Sequence, residues 1–403
     1  MAQAPANRFS SLPSELVEEI LCRTPAESLN SVKTTCKQWY AIISSNARFK
    51  QKQLDHHIHT SQRFLRIDDE RARQIMDPVT GIVTERPPAV QIMDPVTGIV
   101  TEIPIPDEFN DLLPVSWMVH CDGLMLCICK DWERRGGYVR LAVWNPLLGR
   151  IKWIEPSDDY WVHDYFGVGY DDDASRHNYK ILRFGYNLGN KSRVYEIYEF
   201  MSDSWRGIDA GFDGDIVMKW ECVSVKGHMY WLALKKERYF VLCFDFSEET
   251  FKDVCDCPDF WNDCSRLECF NGDRLSFLTQ DGEGTRDIEV WMTNKLSDEV
   301  VSFASHFSVT TGPDPGPALL PRLRFLTCPG YSIGKHRNIM AWCEQTVEED
   351  EEYTWVSVFT FYEIDESGVV TKQIETSRSL STEYSELSTC SYVYVPSLTP
   401  VPE

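Results

Sequence analysis

Residues 141–154 read LAVWNPLLGRIKWI. Two short apolar-rich runs flank Asn145-Pro146-Leu147-Leu148-Gly149, and each turn residue has a distinct task. The Asn side chain bonds nearby backbone, Pro presets the next backbone angle, and Gly takes the left-handed position that leads into the return strand. The segment is therefore a β-hairpin. The same pattern occurs at Met76-Asp77-Pro78-Val79-Thr80-Gly81, inside the segment QIMDPVTGIVTE. That segment stands at Gln74 to Glu85 and again at Gln91 to Glu102, identical through twelve positions and offset by seventeen residues. So long an identity marks a tandem duplication. One copy is expected to serve a sheet and the other to sit as a tolerated insertion in a surface connection.

A second recurring unit is a glycine turn followed by a strand, at Asp122-Gly123-Leu124-Met125-Leu126, Lys226-Gly227-His228-Met229-Tyr230-Trp231 and Asn271-Gly272-Asp273-Arg274-Leu275. Each leads to a further strand and an aromatic return. The later strands place Trp144, Phe200, Phe246 and Trp291 at spacings of 56, 46 and 45 residues, close to the ~50 of kelch-type blades. Repeated units of this length predict an all-β, β-propeller-like domain. A β-sandwich is the alternative architecture, since short strands at regular intervals are also its signature. A ring of blades leaves open edges unless the chain ends meet in one sheet. CSYVYVP at Cys390 to Pro396 is the strand expected to close it, against strands between Phe64 and Leu126.

The N-terminal region follows a different period. Leu12-Pro13 opens a helix, in which Leu16, Val17, Ile20 and Leu21 are expected on one face and Glu15, Glu18 and Glu19 on the other. Pro25 ends it, and Leu29, Val32, Cys36, Trp39 and Ile43 continue at spacings of three or four. A third helical stretch runs from Ala47 to Gln62. So much apolar surface on so short a segment is more than the segment buries alone, which predicts a partner.

The stretch LPSELVEEILCRTPAESLNSVKTTCKQWYAIISSNARF, residues 12–49, resembles an F-box, the adaptor-docking module of SCF-type cullin-RING ubiquitin ligases. The Leu-Pro opening, the Glu-Ile-Leu helix end, Cys-Lys-x-Trp and the trailing Phe carry the match; Thr24 departs from it, a Leu being usual there. The resemblance implies that Leu12, Pro13, Leu16, Ile20, Leu21, Leu29, Val32 and Trp39 contact a Skp-family adaptor or the helical core behind that contact. From His120 to Pro396, HCDGLMLC, VWNPLLGRIKWIEP, FGVGYDDDASRHNYKILRF, YEFMSDSWR, VSVKGHMYW, LCFDFSEETF and EVWMTNK, in that order, resemble the F-box-associated interaction domain of plant F-box proteins. Together these imply a substrate receptor, linked through the adaptor to cullin and RING subunits and holding an unknown protein substrate. The divisions expected are an F-box at 1–60, connecting strands with the duplicated hairpin at 61–114, the β domain at 115–396 and a tail at 397–403. A propeller enzyme with its site at the channel mouth and an adaptor-bound scaffold are the rival functions.

Other motifs carry weaker chemistry. Gly330-Tyr331-Ser332-Ile333-Gly334 matches the G-x-S-x-G string, but a nucleophilic serine needs a strand, a strained turn and a helix, and the following KHRNIMAWCE is strand-like. Cys255, Cys257, Cys264 and Cys269 lack paired zinc spacing, and His56, His57 and His59 lack a completing ligand. Asp171 to Ser175 lacks the glycine and glutamate of a calcium loop, and the acidic run Glu348 to Glu352 reads as a solvated loop. No glycine-rich phosphate cradle precedes a helix. The expectation is therefore no catalytic residue, no metal and no cofactor.

The 403 residues carry a net charge of −22, and the pI is near 4.8. Contact with nucleic acid or an anionic membrane depends on Lys and Arg neutralising phosphate, so both partner classes are disfavoured. No apolar run reaches the eighteen or so residues of a membrane span, and MAQAPANRFSS has no signal-peptide pattern. The fourteen cysteines read as reduced core thiols. An intracellular location, nucleus or cytoplasm, is expected.

Overall fold

The computed structural model describes residues 12–58, 62–67, 74–76, 83–85, 89–106, 115–131, 138–158, 160–161, 163–171, 178–187, 192–217, 222–258, 265–280, 287–309, 330–334, 336–349, 354–381 and 391–402. Helices come first, at Ser14–Cys22, Ala26–Val32, Lys37–Tyr40 and Ala47–His57, with a π-helical turn at Ala41–Ser45. Pro13 and Pro25 stand at the positions just before the first two helices, with φ of −54° at each. Asn46 Oδ1 accepts from Phe49 N at 3.0 Å and so caps the last helix. The run from Leu29 to Ile43 is not one helix. Cys36 instead caps a new start, its Sγ accepting from Trp39 N at 3.3 Å, while Thr35 Oγ1 donates back to Val32 O and closes the previous helix.

The other described residues form six antiparallel sheets and their connections. Their innermost strands, Val115–Cys121, Tyr165–Asp171, Cys222–Val225, Arg266–Phe270, Tyr331–Ile333 and Tyr392–Tyr394, touch in that order and return to the first. The domain is therefore a closed six-bladed propeller. The four main strands of each blade follow the chain outward from the inner strand, except that Tyr392–Tyr394 lies inside Arg63–Ile67, with Arg63 opposite Tyr394 and Leu65 opposite Tyr392. The C-terminal strand thus closes the ring where the sequence placed it. Residues 63–67, 89–93 and 100–104, read from sequence as connecting strands, supply the other three strands of that blade.

The duplicated hairpins part company. The second copy builds this first blade, with Gln91 opposite Glu102. Strands Gln74–Met76 and Val83–Glu85 of the first copy pair with each other and extend the outer edge of a neighbouring blade, Ile75 lying opposite Ser379. The turn chemistry read from sequence holds at both described examples. Asp94 Oδ1 accepts from Val96 N at 2.8 Å and Asn145 Oδ1 from Leu148 N at 3.1 Å. Gly98 and Gly149 follow at φ of +73° and +60°.

Antiparallel order puts the turns on two ends of the ring. Turns joining first to second and third to fourth strands of each blade share one end; second-to-third turns and the links between blades share the other. Asp122-Gly123, Asp94 to Ile99 and Pro146 to Gly149 lie at the first end, and the helical unit sits there.

Candidate protein-docking site

The helical unit is fastened to that end by apolar contact. Val17, Leu21, Cys22, Ala26, Leu29, Ile43 and Phe49 form its core, and Leu398 from the C-terminal segment is buried among them. Leu147 and Leu148, from the turn of the second blade, pack on the same cluster. Asn30 Nδ2 donates to Leu147 O at 3.2 Å, and Arg63 lies 3.7 Å from Glu27 and 3.4 Å from Asp94. Part of the surface that the sequence left unfinished is thus completed by the chain itself. Leu398 was not legible as a member of this core; Leu147 and Leu148 carried a signal, two leucines at a turn tip where polar residues are usual.

The first helix divides its apolar residues between two sides. Val17 and Leu21 point inward, whereas Leu16 and Ile20, one turn apart, are 52% and 46% exposed. Leu12 and Pro13 are exposed ahead of them. The expected single face of Leu16, Val17, Ile20 and Leu21 is therefore split, because the buried stripe of so short a helix is narrow. Of the other candidates, Leu29 is fully buried, and Val32 and Trp39 are half-buried. Tyr40, absent from the sequence selection, is a further exposed aromatic. Beside this surface Glu19 pairs with Arg23 at the end of its own helix and with Lys52 of the last helix, both at 2.9 Å. Lys52 and Arg23 hold its carboxyl below the usual range. These pairs are open to solvent and contribute little stability.

The remaining motifs occupy structural positions. Ser332 is buried on strand Tyr331–Ile333, its Oγ donating to Gln62 Oε1, and the chain continues into another strand, not a helix. Cys255, Cys257 and Cys269 belong to an apolar cluster shared by two blades; burial pushes the Cys255 and Cys269 thiols up to about 12. Cys264 and His59 lie outside the described residues, as do positions 172–175 and 350–352. His56 and His57 end the last helix. Among the described residues no three of His, Cys, Asp and Glu are gathered as a metal site, and no helix is long and apolar enough to cross a membrane.

Some ionisable groups of the inner strands and their turns are buried. Burial pushes the Asp122 carboxyl up to about 7 against the opposing pull of Tyr170 and Tyr179, and pushes Glu268 up to about 8. Burial takes His120 down to about 4, and its Nε2 accepts from Gly123 N at 2.9 Å, as a neutral ring does. These groups belong to the inner strands and their turns.

Comparison with known proteins places both parts. The F-box domain family matches residues 9–51, and the F-box associated beta propeller domain family matches residues 80–401. An Arabidopsis thaliana protein named "F-box protein At3g08750" is 50% identical, the match covering 100% of each chain. Another from that plant, "F-box/WD-40 repeat-containing protein 1", is 33% identical over 98% of this chain and 90% of its own. The chain belongs to the plant F-box proteins that carry an F-box-associated β-propeller domain.

Proposed function

We propose that this protein is the substrate-recognition subunit of an SCF-type cullin-RING ubiquitin ligase. Its F-box docks a Skp-family adaptor through Leu12, Pro13, Leu16 and Ile20, with Leu21, Leu29, Val32 and Trp39 supporting the helices behind. The propeller holds a protein substrate, and the bond-forming step is left to other subunits, so the contribution to rate is proximity and orientation. The observation that carries this reading is the exposure of Leu16 and Ile20 on a helix whose opposite side is already closed by Leu21, Leu29 and Leu398. Aliphatic side chains aligned along one helix side and left in water are what a helix-in-groove contact uses.

The position of the F-box also bears on the substrate. It occupies the end of the ring with the tight turns, leaving the other end to the links between blades. Binding residues concentrate on such connections over a rigid scaffold. The assembly would operate in the nucleus or cytoplasm. The test is reconstitution with adaptor, cullin and RING subunits. Proteins captured by the intact chain should be ubiquitinated, and the same proteins should be spared when Leu16 and Ile20 are replaced. Capture without F-box-dependent ubiquitination would favour a scaffold.

A further inference from the structure

The twelve repeated residues cannot choose which copy enters the first blade, because they are identical. The offset of seventeen extends beyond them: Ala72 corresponds to Ala89 and Pro87 to Pro104, both identities. Two differences interrupt the longer repeat. Arg73 stands where the second copy has Val90, and Arg86 where it has Ile103.

Those two positions face each other in the folded blade. Val90 lies directly opposite Ile103 on one side and Ile67 on the other. Val90 is fully buried, in a cluster with Leu65, Met118 and Trp144 against which Ile103 also packs. Seating the first copy in the same register would set one arginine against another at this point, one of them inside an apolar cluster. Like charges directly opposite destabilise a strand pair, and a guanidinium buried without a partner is far costlier.

Chain entropy pulls the other way. The first copy would need only residues 68–72 to connect it to Arg63–Ile67, whereas the second uses 68–89. Loop closure changes slowly with length, so about two doublings weigh little beside a buried charge.

We infer that Arg73 and Arg86 exclude the first copy from the propeller ring, and that the Val90–Ile103 pair selects the second. The excluded copy is left to pair along the outer edge of strand Val370–Ser381.

Two deletions of seventeen residues test this. Removing Arg73 to Ala89 joins Ala72 to Val90; removing Pro87 to Ile103 joins Arg86 to Pro104. The products have equal length and differ at only those two positions. The first should melt within a few degrees of the parent and the second at least about 5 °C lower; equal melting temperatures would overturn the inference. Should the second product fail to fold, full-length chains supply the answer. Val90→Arg with Ile103→Arg should lower the melting temperature, and adding Arg73→Val with Arg86→Ile should restore at least half of the loss by admitting the first copy. Absence of that rescue would equally overturn it.

Discussion

Asn145 Nδ2 donates to the carbonyl oxygen of Thr399 at 2.7 Å across 254 residues of sequence, and to that of Ser397 at 3.1 Å. The same side chain organises its own hairpin turn through Oδ1. One amide therefore ties the second blade to the C-terminal segment that puts Leu398 into the F-box core. Gly123 is part of the same fit: at φ +83° it has no room for a Cβ, which would lie 2.2 Å from Ser397 Cβ.

Replacing Asn145 with Ala leaves two carbonyls and one turn N–H without this partner. Each lost buried hydrogen bond costs about 1–3 kcal/mol, so the variant should melt several degrees below the parent. An unchanged melting temperature would show that the clamp contributes nothing.

Truncation separates the ring from the tail. Ending the chain after Pro396 keeps the closing strand but removes Leu398, so the propeller should still unfold sharply while the F-box loosens and adaptor capture weakens. Ending it after Thr389 removes the innermost strand of the first blade as well, and cooperative unfolding of the propeller should then disappear. Thermal melting monitored at near-ultraviolet wavelengths, with adaptor pull-down on each length, distinguishes the two outcomes.

Outward and inward leucines should respond differently. Leu16→Ala with Ile20→Ala removes exposed side chains, so stability should barely change while adaptor binding falls by an order of magnitude or more, about 1.4 kcal/mol per tenfold. Leu29→Ala, at a fully buried position, should cost about 2–5 kcal/mol of stability. Binding isotherms and denaturant melts on both variants check the division.

Asp122 makes stability depend on pH in a stated direction. Its carboxyl is raised to about 7 in the folded protein, against about 3.9 in an unfolded chain. The stability tied to its protonated form is therefore fully present below about pH 4 and is lost as pH rises through about 7. Asp122→Asn removes the ionisation and keeps a residue suited to φ +52°. Its melting temperature relative to the parent should thus rise between pH 4 and pH 8. A difference that stays constant over that range would place the carboxyl in water.

Much of the architecture was readable because its signals are local. Asp or Asn, then Pro, then Gly makes a hairpin wherever it occurs, and repetition of such units at blade length implied a ring. The alternating residues from Tyr392 to Val395 marked a strand without a neighbouring partner, and Arg63–Ile67 supplied one. The split of the first helix was not readable in the same way. Leu16 and Leu21 are equally apolar, and only packing against Leu29 and Leu398 decided which of them was buried.

By itself the sequence determined the hairpins, the blade repeat and the proline-started helices, since each follows from backbone preferences and side-chain periods spanning a few residues. The tertiary structure alone decided which copy of QIMDPVTGIVTE enters the ring, and that Leu147, Leu148 and Leu398 complete the F-box core. Those outcomes depend on burial, and burial is set by residues far apart in the chain that meet only when the ring closes.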